Sequence, residues 1–241
     1  MKIGKTWAMS AALLLAVTAG GALAQDSSNI RGEVRVSAVR GSGDGYFKES
    51  VPVIGLRRLA DGAIQDILVT SDSRDANVRR QEIHAMLEAA IRRADAAGVE
   101  LVTGSFELTP VTLANYRELP LRMGRRSDTS EVAVVVKTKL AGPADSALRR
   151  IDGFIKAVPA TGRSLVEKNG AMQLTIVNPD QYRGSVIKLI AEESRRTSNA
   201  FGADYGVTVS GLDRHLVWNQ ASENEVFLYI PYSFTVLPKG A

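Results

Sequence analysis

The stretch LTIVNPDQYRGSVIKLIAEESRRTSNAFGADYGVTVSG, from Leu174 to Gly211, is the part of this chain that decides its fold class. Asn178 follows a short apolar run and is a preferred N-cap residue, and Pro179 stands at the first helical position, where its missing N–H costs no hydrogen bond. A second apolar run, Val207 to Val209, comes after the helix. The stretch therefore predicts a strand–helix–strand unit. Apolar side chains recur at helical spacing, and those expected to be buried are Tyr182, Val186, Leu189, Ile190 and Phe201.

Two further helices are predicted upstream of this unit. A long one runs from Asp75 to Ala97, with apolar residues every three or four positions, and Gly98 ends it. A shorter one starts after Gly142-Pro143 and ends before Pro159. Apolar runs bounded by turn residues predict the remaining strands, which are Val51–Arg57, Ile64–Thr70, Val99–Leu108, Ser130–Leu140, Ala171–Val177 and Glu225–Val236.

Together these elements predict an α+β fold in which a mixed, mainly antiparallel sheet is packed by two long helices and one shorter helix. The run from Ser130 to Leu140 alternates apolar and polar residues, which is typical of an antiparallel strand with one solvated face. Both long helices carry an Arg-Arg dyad late in their sequence and are followed by a strand. That likeness is compatible with a duplicated strand–helix–strand unit.

The N-terminus has the pattern of a secretory signal peptide. Lys2 and Lys5 precede an uncharged apolar run, and Ala22-Leu23-Ala24 is the small-x-small pattern of a cleavage site, so residues 1–24 are expected to be removed after Ala24. The apolar run is shorter than the ~20 residues that span a bilayer. The sequence therefore predicts a periplasmic protein with no transmembrane anchor. It has no cysteine, so no disulfide can support the exported fold.

Residues 25–49 are predicted to be a flexible segment ahead of a single domain at residues 50–238. Gly41-Ser42-Gly43-Asp44-Gly45 breaks any regular element, and it lacks the lysine of a phosphate-binding loop. Within this segment the alternation of Val34 and Val36 permits one short strand.

The charge pattern and the histidines point away from several classes of function. The formal net charge of +4 is interspersed along the chain, whereas a nucleic-acid-binding protein needs a concentrated basic face. His84 and His215 are the only histidines, and they lack the spacing of a metal site. Asp72, Asp75 and Glu82 could in principle hold a divalent cation, but a cluster that caps a helix explains them better. No catalytic residue, metal ligand or cofactor site is therefore assigned.

The C-terminal strand carries the candidate interface. Apolar residues point to both of its sides, which exceeds the need of a half-exposed strand, and Pro231 indicates a sheet edge or a bulge. Aromatic residues are favoured at protein interfaces. A central strand covered on both faces would explain the same pattern. The candidate interface residues are Phe227, Tyr229, Tyr232 and Phe234.

The long helix of the opening stretch resembles that of the SIMPL domain family, whose pattern is roughly L-R, then D-A-R-x-K-A, then L-A and G-V. The matching positions here are Tyr182-Arg183, Glu193 to Ser198, Phe201-Gly202 and Gly206-Val207. Ser194, Ser198 and Gly202 replace small alanines, and Thr197 stands at the lysine position, so the family's charge pattern is not fully kept. The likeness extends over Val51 to Val236, where Val53-Ile54-Gly55, Gly98-Val99 and Leu108-Thr109-Pro110 also fit.

The resemblance implies a periplasmic or outer-membrane-associated protein, since exported bacterial members live there. Some of them self-associate and some are linked to oxidative-stress tolerance, and the family has no shared catalytic residues. We therefore expect a non-enzymatic protein that acts as a homo-oligomer or binds a partner in the cell envelope. Two other classes stay open: an envelope hydrolase or transferase whose site is assembled from distant residues, and a small-ligand binder that uses the loop from Asn115 to Arg126.

Overall fold

The computed structural model describes residues 32–36 and 54–239. The predicted signal peptide and the glycine-rich Gly41–Gly45 lie outside the described residues. The helices are α1 Ala76–Ala94, α2 Ala144–Ala157 and α3 Arg183–Phe201. The strands are β1 Glu33–Val36, β2 Leu56–Leu59, β3 Gly62–Ser71, β4 Glu100–Thr103, β5 Thr109–Pro110, β6 Arg122–Met123, β7 Ser130–Lys139, β8 Ser164–Lys168, β9 Gln173–Val177, β10 Tyr205–Ser210, β11 Val217–Gln220, β12 Glu225–Tyr229 and β13 Ser233–Pro238.

The predicted α+β fold, with two long helices and one shorter helix, is confirmed. The largest sheet has the order β1-β9-β3-β7-β4-β5, with β6 added to β7 and β8 added to β3. Its centre is the β3–β7 ladder, which runs from Gly62↔Lys139 to Ser71↔Ser130. Every ladder between the described strands is antiparallel. The ladders agree with the predicted, mainly antiparallel sheet. None of them is the parallel pair that a mixed sheet would contain.

The large sheet curls until its two ends meet. β1 is at one end of the strand order, and its free edge bonds to the segment that leads into β5 at the other end. Leu108 N donates to Glu33 O across 3.1 Å, and Arg35 N donates to Phe106 O across 3.2 Å. The sheet therefore has a convex face, which carries the helices, and a concave face inside the curl.

Two apolar clusters lie under the helices on the convex face. The first joins α1 and α2 to the centre of the sheet through Ile83, Leu87 and Phe154. The second joins α3 to β1, β9 and a separate three-stranded sheet of order β11-β12-β2. In this second cluster Val186 and Ile190 of α3 are fully buried. α3 therefore holds the three-stranded sheet against the large sheet.

The concave face is held by charged side chains. Arg35 donates two hydrogen bonds to the Asp66 carboxylate, at 2.9 and 2.7 Å. Lys137 Nζ lies 2.6 Å from Glu33 and 2.8 Å from Glu100. Thr175 Oγ1 donates to Glu33 across 2.5 Å. Buried charges are tolerated when they are paired and hydrogen-bonded, and these pairs connect β1 to β3, β7 and β9.

The prediction that residues 25–49 form a flexible segment is wrong for Glu33–Val36. These four residues form β1, which pairs with β9 from Glu33↔Val177 to Val36↔Leu174. The alternation of Val34 and Val36 explains the difference, because both side chains are fully buried in the second cluster. The folded domain therefore includes β1 and starts earlier than residue 50.

The predicted strand Glu225–Val236 is two strands. β12 ends at Tyr229 and β13 begins at Ser233, and they join different sheets, because β12 pairs with β11 and β2 whereas β13 pairs with β10. Pro231 lies in the break, where its missing N–H interrupts no ladder. The predicted strand Val99–Leu108 is also shorter, since β4 ends before Gly104, which has a φ of +124°.

The two strand–helix–strand units pair differently. β3 and β4, which flank α1, both pair with β7. β9 and β10, which flank α3, lie in different sheets. Asn178 also departs from its predicted role, because it has left-handed backbone angles and its side chain makes no capping hydrogen bond to the short 3-10 turn that precedes α3.

Candidate functional site

The four candidate interface aromatics fall into two separate groups. Phe227 and Tyr229 lie on β12 with their ring centroids 5.6 Å apart. Tyr232 lies just before β13 and Phe234 lies on it, with their centroids 6.3 Å apart. Since β12 and β13 belong to different sheets, the four residues do not form one continuous strip.

The β12 pair is engaged by neighbours in its own sheet. The Arg57 guanidinium lies 5.9 Å from the centroid of the Phe227 ring. Asn219 Nδ2 donates to the Tyr229 hydroxyl across 3.4 Å. A Cβ on Gly55 would lie only 2.5 Å from the edge of the Phe227 ring. This pair is half-buried, and its contacts within the chain are sufficient to explain it.

The β13 pair belongs to a two-stranded ribbon formed by β10 and β13. The ribbon pairs from Tyr205↔Pro238 to Ser210↔Ser233, and neither strand has another strand partner within residues 32–36 and 54–239. An isolated pair of strands is at best marginally stable in water, and an open edge is a template for pairing with another chain. The ribbon therefore depends on its support from α3.

Exposed apolar side chains surround this ribbon. The four residues are Phe201, Tyr205, Phe234 and Leu237, each between 37% and 59% exposed, and we call them the ribbon surface. The rings of Phe201 and Tyr205 lie 5.9 Å apart. The ladder register places Tyr205 and Phe234 on one face of the ribbon and Leu237 on the other. Exposed apolar residues that cluster, unlike those scattered singly, mark interaction sites. The ribbon surface includes one of the four predicted interface residues, Phe234.

The prediction that Phe201 belongs to the buried stripe of α3 is wrong, because its side chain is 59% exposed. Beyond Ile190 the buried positions are Ser194 and Ser198. These small side chains let the ribbon approach the helix, and Ser198 Oγ donates to the carbonyl of Tyr205 across 2.9 Å. The end of the helix extends past this contact, which leaves Phe201 at the surface.

Tyr232 lies where the ribbon meets the second cluster, against which it packs. Burial, together with the negative charge of Glu193, raises the pKa of the Tyr232 phenol above its ordinary value. The phenol therefore stays protonated at neutral pH.

The two histidines lie in different environments. His84 packs edge-on against the Tyr116 ring, with 5.8 Å between centroids, and its Nε2 is buried without a hydrogen-bond partner in the described structure. Burial, followed by the charges of Arg117 and Arg80, lowers the pKa of His84, so the imidazole is neutral. His215 is exposed. In the described ranges neither residue bonds to a serine or a carboxylate, which is the contact that a nucleophile–base pair requires.

The acidic residues near the start of α1 have structural partners. Asp75 caps the helix by accepting from the N–H groups of Asn77 and Val78, at 2.8 and 3.0 Å. Asp72 pairs with Arg163 across 2.6 Å. Glu82 accepts from the Ser71 and Ser73 hydroxyls, at 2.5 and 2.9 Å. Among the residues that the structure describes, no group of three histidines or carboxylates is placed to hold a metal.

Glu82 makes the stability of the structure near the start of α1 depend on pH. The Ser71 hydroxyl, and to a smaller extent that of Ser73, holds the pKa of Glu82 below its ordinary value despite its partial burial. A lowered folded-state pKa adds stability above the unfolded-state pKa, and that stability is lost as pH falls through the folded-state pKa. Glu82→Gln should therefore be most destabilising near pH 7, and its difference from wild type should shrink below about pH 4. Urea unfolding between pH 7 and pH 3 measures this difference, with exposed Glu167→Gln as the control.

The loop from Asn115 to Arg126 is anchored on α1. The Tyr116 hydroxyl donates to Glu88 across 3.1 Å, and Arg117 Nε donates to the same hydroxyl across 3.0 Å. The Arg117 guanidinium also lies 5.4 Å from the Tyr116 ring centroid. These contacts fix the start of the loop on the helix. Binding of a small ligand by this loop stays a prediction.

Comparisons with known proteins do not identify a family for this chain. The sequence matches no family model and no curated protein. In the two described ranges, no helix is both long enough and apolar enough to cross a membrane.

Proposed function

We propose that this chain is an exported, non-enzymatic protein of the SIMPL kind that acts by self-association in the periplasm. The observation that carries the proposal is the open edge of β13, which is flanked by exposed apolar side chains. The signal-peptide pattern supports export, and the resemblance of α3 and its flanks to the SIMPL domain supports the class. A role in envelope or oxidative-stress tolerance would follow from that class.

The outer edge of β10 is used within the chain. The carbonyl of Tyr205 accepts a hydrogen bond from Ser198 of α3, so this edge of the ribbon faces the helix. The outer edge of β13 has no such neighbour in the described structure. A strand from a second copy would therefore pair with β13.

The hydrogen-bond alternation of the ribbon identifies the free donors. Lys239 N donates to the carbonyl of Asp204 across 2.7 Å, and bonded and non-bonded pairs alternate along an antiparallel ladder. Counted from that bond, the N–H groups of Phe234 and Val236 point away from β10. Pro238 occupies the next outward position, where proline is tolerated. Two donors without a partner among the described residues thus lie on this edge. Ser233 to Leu237 carry no charge, so the usual protection of an edge, proline and lysine, is confined to its end at Pro238 and Lys239.

A pair of β13 strands from two copies would form a symmetric interface. Two-fold symmetry places the same strand edge on both subunits, and an antiparallel β13–β13 contact satisfies that condition. It would join the two ribbons into a four-stranded sheet, which is more stable than an isolated pair of strands. Apolar residues of the ribbon surface next to this edge, Phe234 above all, would be buried at the same time.

Analytical ultracentrifugation of the mature chain tests the proposal. We expect particles larger than one chain at micromolar concentration, and Val236→Pro should convert them to monomers because it removes an outward donor. Val236→Ala keeps the N–H and should still assemble. Circular dichroism checks that both variants are folded. A strict monomer in the wild type would contradict self-association, and binding of an envelope protein at the same edge would then be tested by crosslinking.

A further inference from the structure

A cavity of about 450 Å³ lies between the end of α1, the end of β7 and the middle of α2. This volume is within the range of small-molecule sites, roughly 300–1,000 Å³. Its polar lining consists of Asp95, Glu100, Lys137, Thr138, Lys139 and Arg150. None of these residues belongs to the ribbon or to the loop from Asn115 to Arg126, so the cavity is independent of the proposed interface.

Arg150 is held in place at the wall of this cavity. Its Nη1 donates to Thr138 Oγ1 across 2.8 Å and to the carbonyl of Lys139 across 3.3 Å. Thr138 Oγ1 in turn donates to the carbonyl of Gly98 across 2.9 Å, and Thr138 is only 2% exposed. A buried threonine therefore orients the guanidinium.

The oriented guanidinium has no acidic partner in the described residues, since none of the ion pairs found there includes Arg150. Its remaining N–H groups are donors in a planar fork, which matches the geometry of a carboxylate. Hydrogen bonds between a guanidinium and a carboxylate are about twice as strong as those between neutral groups.

The other charges of the lining limit the ligand. Lys137 is already paired with Glu33 and Glu100. Lys139 and Asp95 form no ion pair within the described part of the chain. The cavity therefore offers one unpaired cation, Arg150, and one unpaired acid, Asp95. Lys139 contributes the carbonyl that Arg150 binds, and its side chain points to the opposite face of β7 from Thr138. A multiply charged anion would be repelled by Asp95 and Glu100, whereas a ligand with one carboxylate and one ammonium group meets opposite charges for both.

We propose that this cavity binds a small zwitterion, a free amino acid or a short peptide. Its carboxylate lies against Arg150 and its ammonium group against Asp95. The volume accommodates either a free amino acid or a short peptide. Free amino acids and peptides differ in how far the two charges are apart, so a comparison of alanine with alanyl-alanine distinguishes them.

Isothermal titration calorimetry of the mature chain tests the site with four probes: alanine, alanyl-alanine, N-acetylalanine and alaninamide. N-acetylalanine lacks the ammonium group and alaninamide lacks the carboxylate. We expect alanine or alanyl-alanine to bind at least tenfold more tightly than either blocked probe. Equal binding of alaninamide, or no heat from any probe at millimolar concentration, would overturn the proposal. This comparison uses the wild-type chain and so does not depend on the folding of a variant.

Two adjacent arginines supply a matched pair of variants. Arg150→Gln should weaken binding of the preferred probe at least tenfold. Arg149→Gln should leave it unchanged, because Arg149 does not line the cavity and bonds to Ser146. Asp95→Asn should weaken binding of that probe but not of N-acetylalanine. If Arg150→Gln and Arg149→Gln bind equally well, the guanidinium does not hold the ligand and the assignment fails.

Discussion

Replacing Ile190 by alanine is expected to lower the free energy of unfolding by about 2–5 kcal/mol, the usual cost of truncating a buried isoleucine. Ile190 is fully buried and packs in the cluster that joins α3 to β9 and β12. Only Val186 accompanies it as a fully buried apolar residue on this helix, because the next buried positions are Ser194 and Ser198. Neither serine can fill the space that Ile190 would leave. Guanidinium unfolding of the mature chain, followed by circular dichroism, measures the loss.

Phe201→Ala is the matched control on the same helix. Phe201 is the larger side chain, but it is mostly exposed, so the change should cost less than about 0.5 kcal/mol. A buried phenylalanine would cost about 3–5 kcal/mol instead. Because Phe201 also belongs to the ribbon surface, each variant should be measured at two protein concentrations, which separates assembly from folding. A cost for Phe201→Ala as large as that for Ile190→Ala would place Phe201 in the core.

The wrong prediction that Phe201 is buried shows how far the apolar periodicity of α3 can be used. Helical spacing identifies the face of α3 that packs, and it does so correctly at Val186 and Ile190. Phe201 lies on nearly the same face three turns later, so the pattern alone extends the stripe to it. Burial also requires a neighbour that covers the side chain, and the Phe201 ring, 5.9 Å from the partly exposed ring of Tyr205, stays 59% exposed. The spacing of apolar residues on a helix does not show how far along the helix the neighbouring element extends.

The C-terminal strands show a different limit. Pro231 was visible as a residue that cannot donate to a ladder, and it does lie in the break between β12 and β13. The partners of those strands, β2 and β10, are set by packing across distant parts of the chain. The four aromatic candidates could therefore be named from the sequence, but their division into two groups could not. The alternation of Val34 and Val36, by contrast, indicated β1 even within a segment predicted to be flexible.

The cavity is the clearest case of a site that the sequence hides. Asp95, Thr138 and Arg150 come from three separate elements, and no motif connects them. Arg150 is part of the dyad Arg149-Arg150, which reads as a solvated pair. Only the structure shows that Arg150 bonds to the buried Thr138 whereas Arg149 bonds to Ser146 on its own helix. The same holds for Arg35 and Asp66, which are far apart in the chain and meet across the curled sheet.

Asp66→Ala is expected to lower the free energy of unfolding by about 3 kcal/mol, because removing one member of a buried ion pair leaves the other charge uncompensated. The Arg35 side chain is 12% exposed and that of Asp66 is 26% exposed, so the value should be at the lower end of the range for buried pairs. Arg35 Nε already has no hydrogen-bond partner in the described structure, and the variant would add two unpaired donors.

The double variant Arg35→Met with Asp66→Leu distinguishes the effect of an uncompensated charge from the effect of lost packing. Replacing both members of a buried pair by apolar residues of similar size is often neutral or stabilising, so the double variant should recover most of the loss. Arg196→Ala, which breaks an exposed pair with Glu193, should cost less than about 1 kcal/mol. Amide exchange of Glu33–Val36 should speed up in Asp66→Ala if the pair holds β1 in the sheet. If the double variant is as unstable as Asp66→Ala, the pair contributes favourable energy of its own and the concave face depends on its charges.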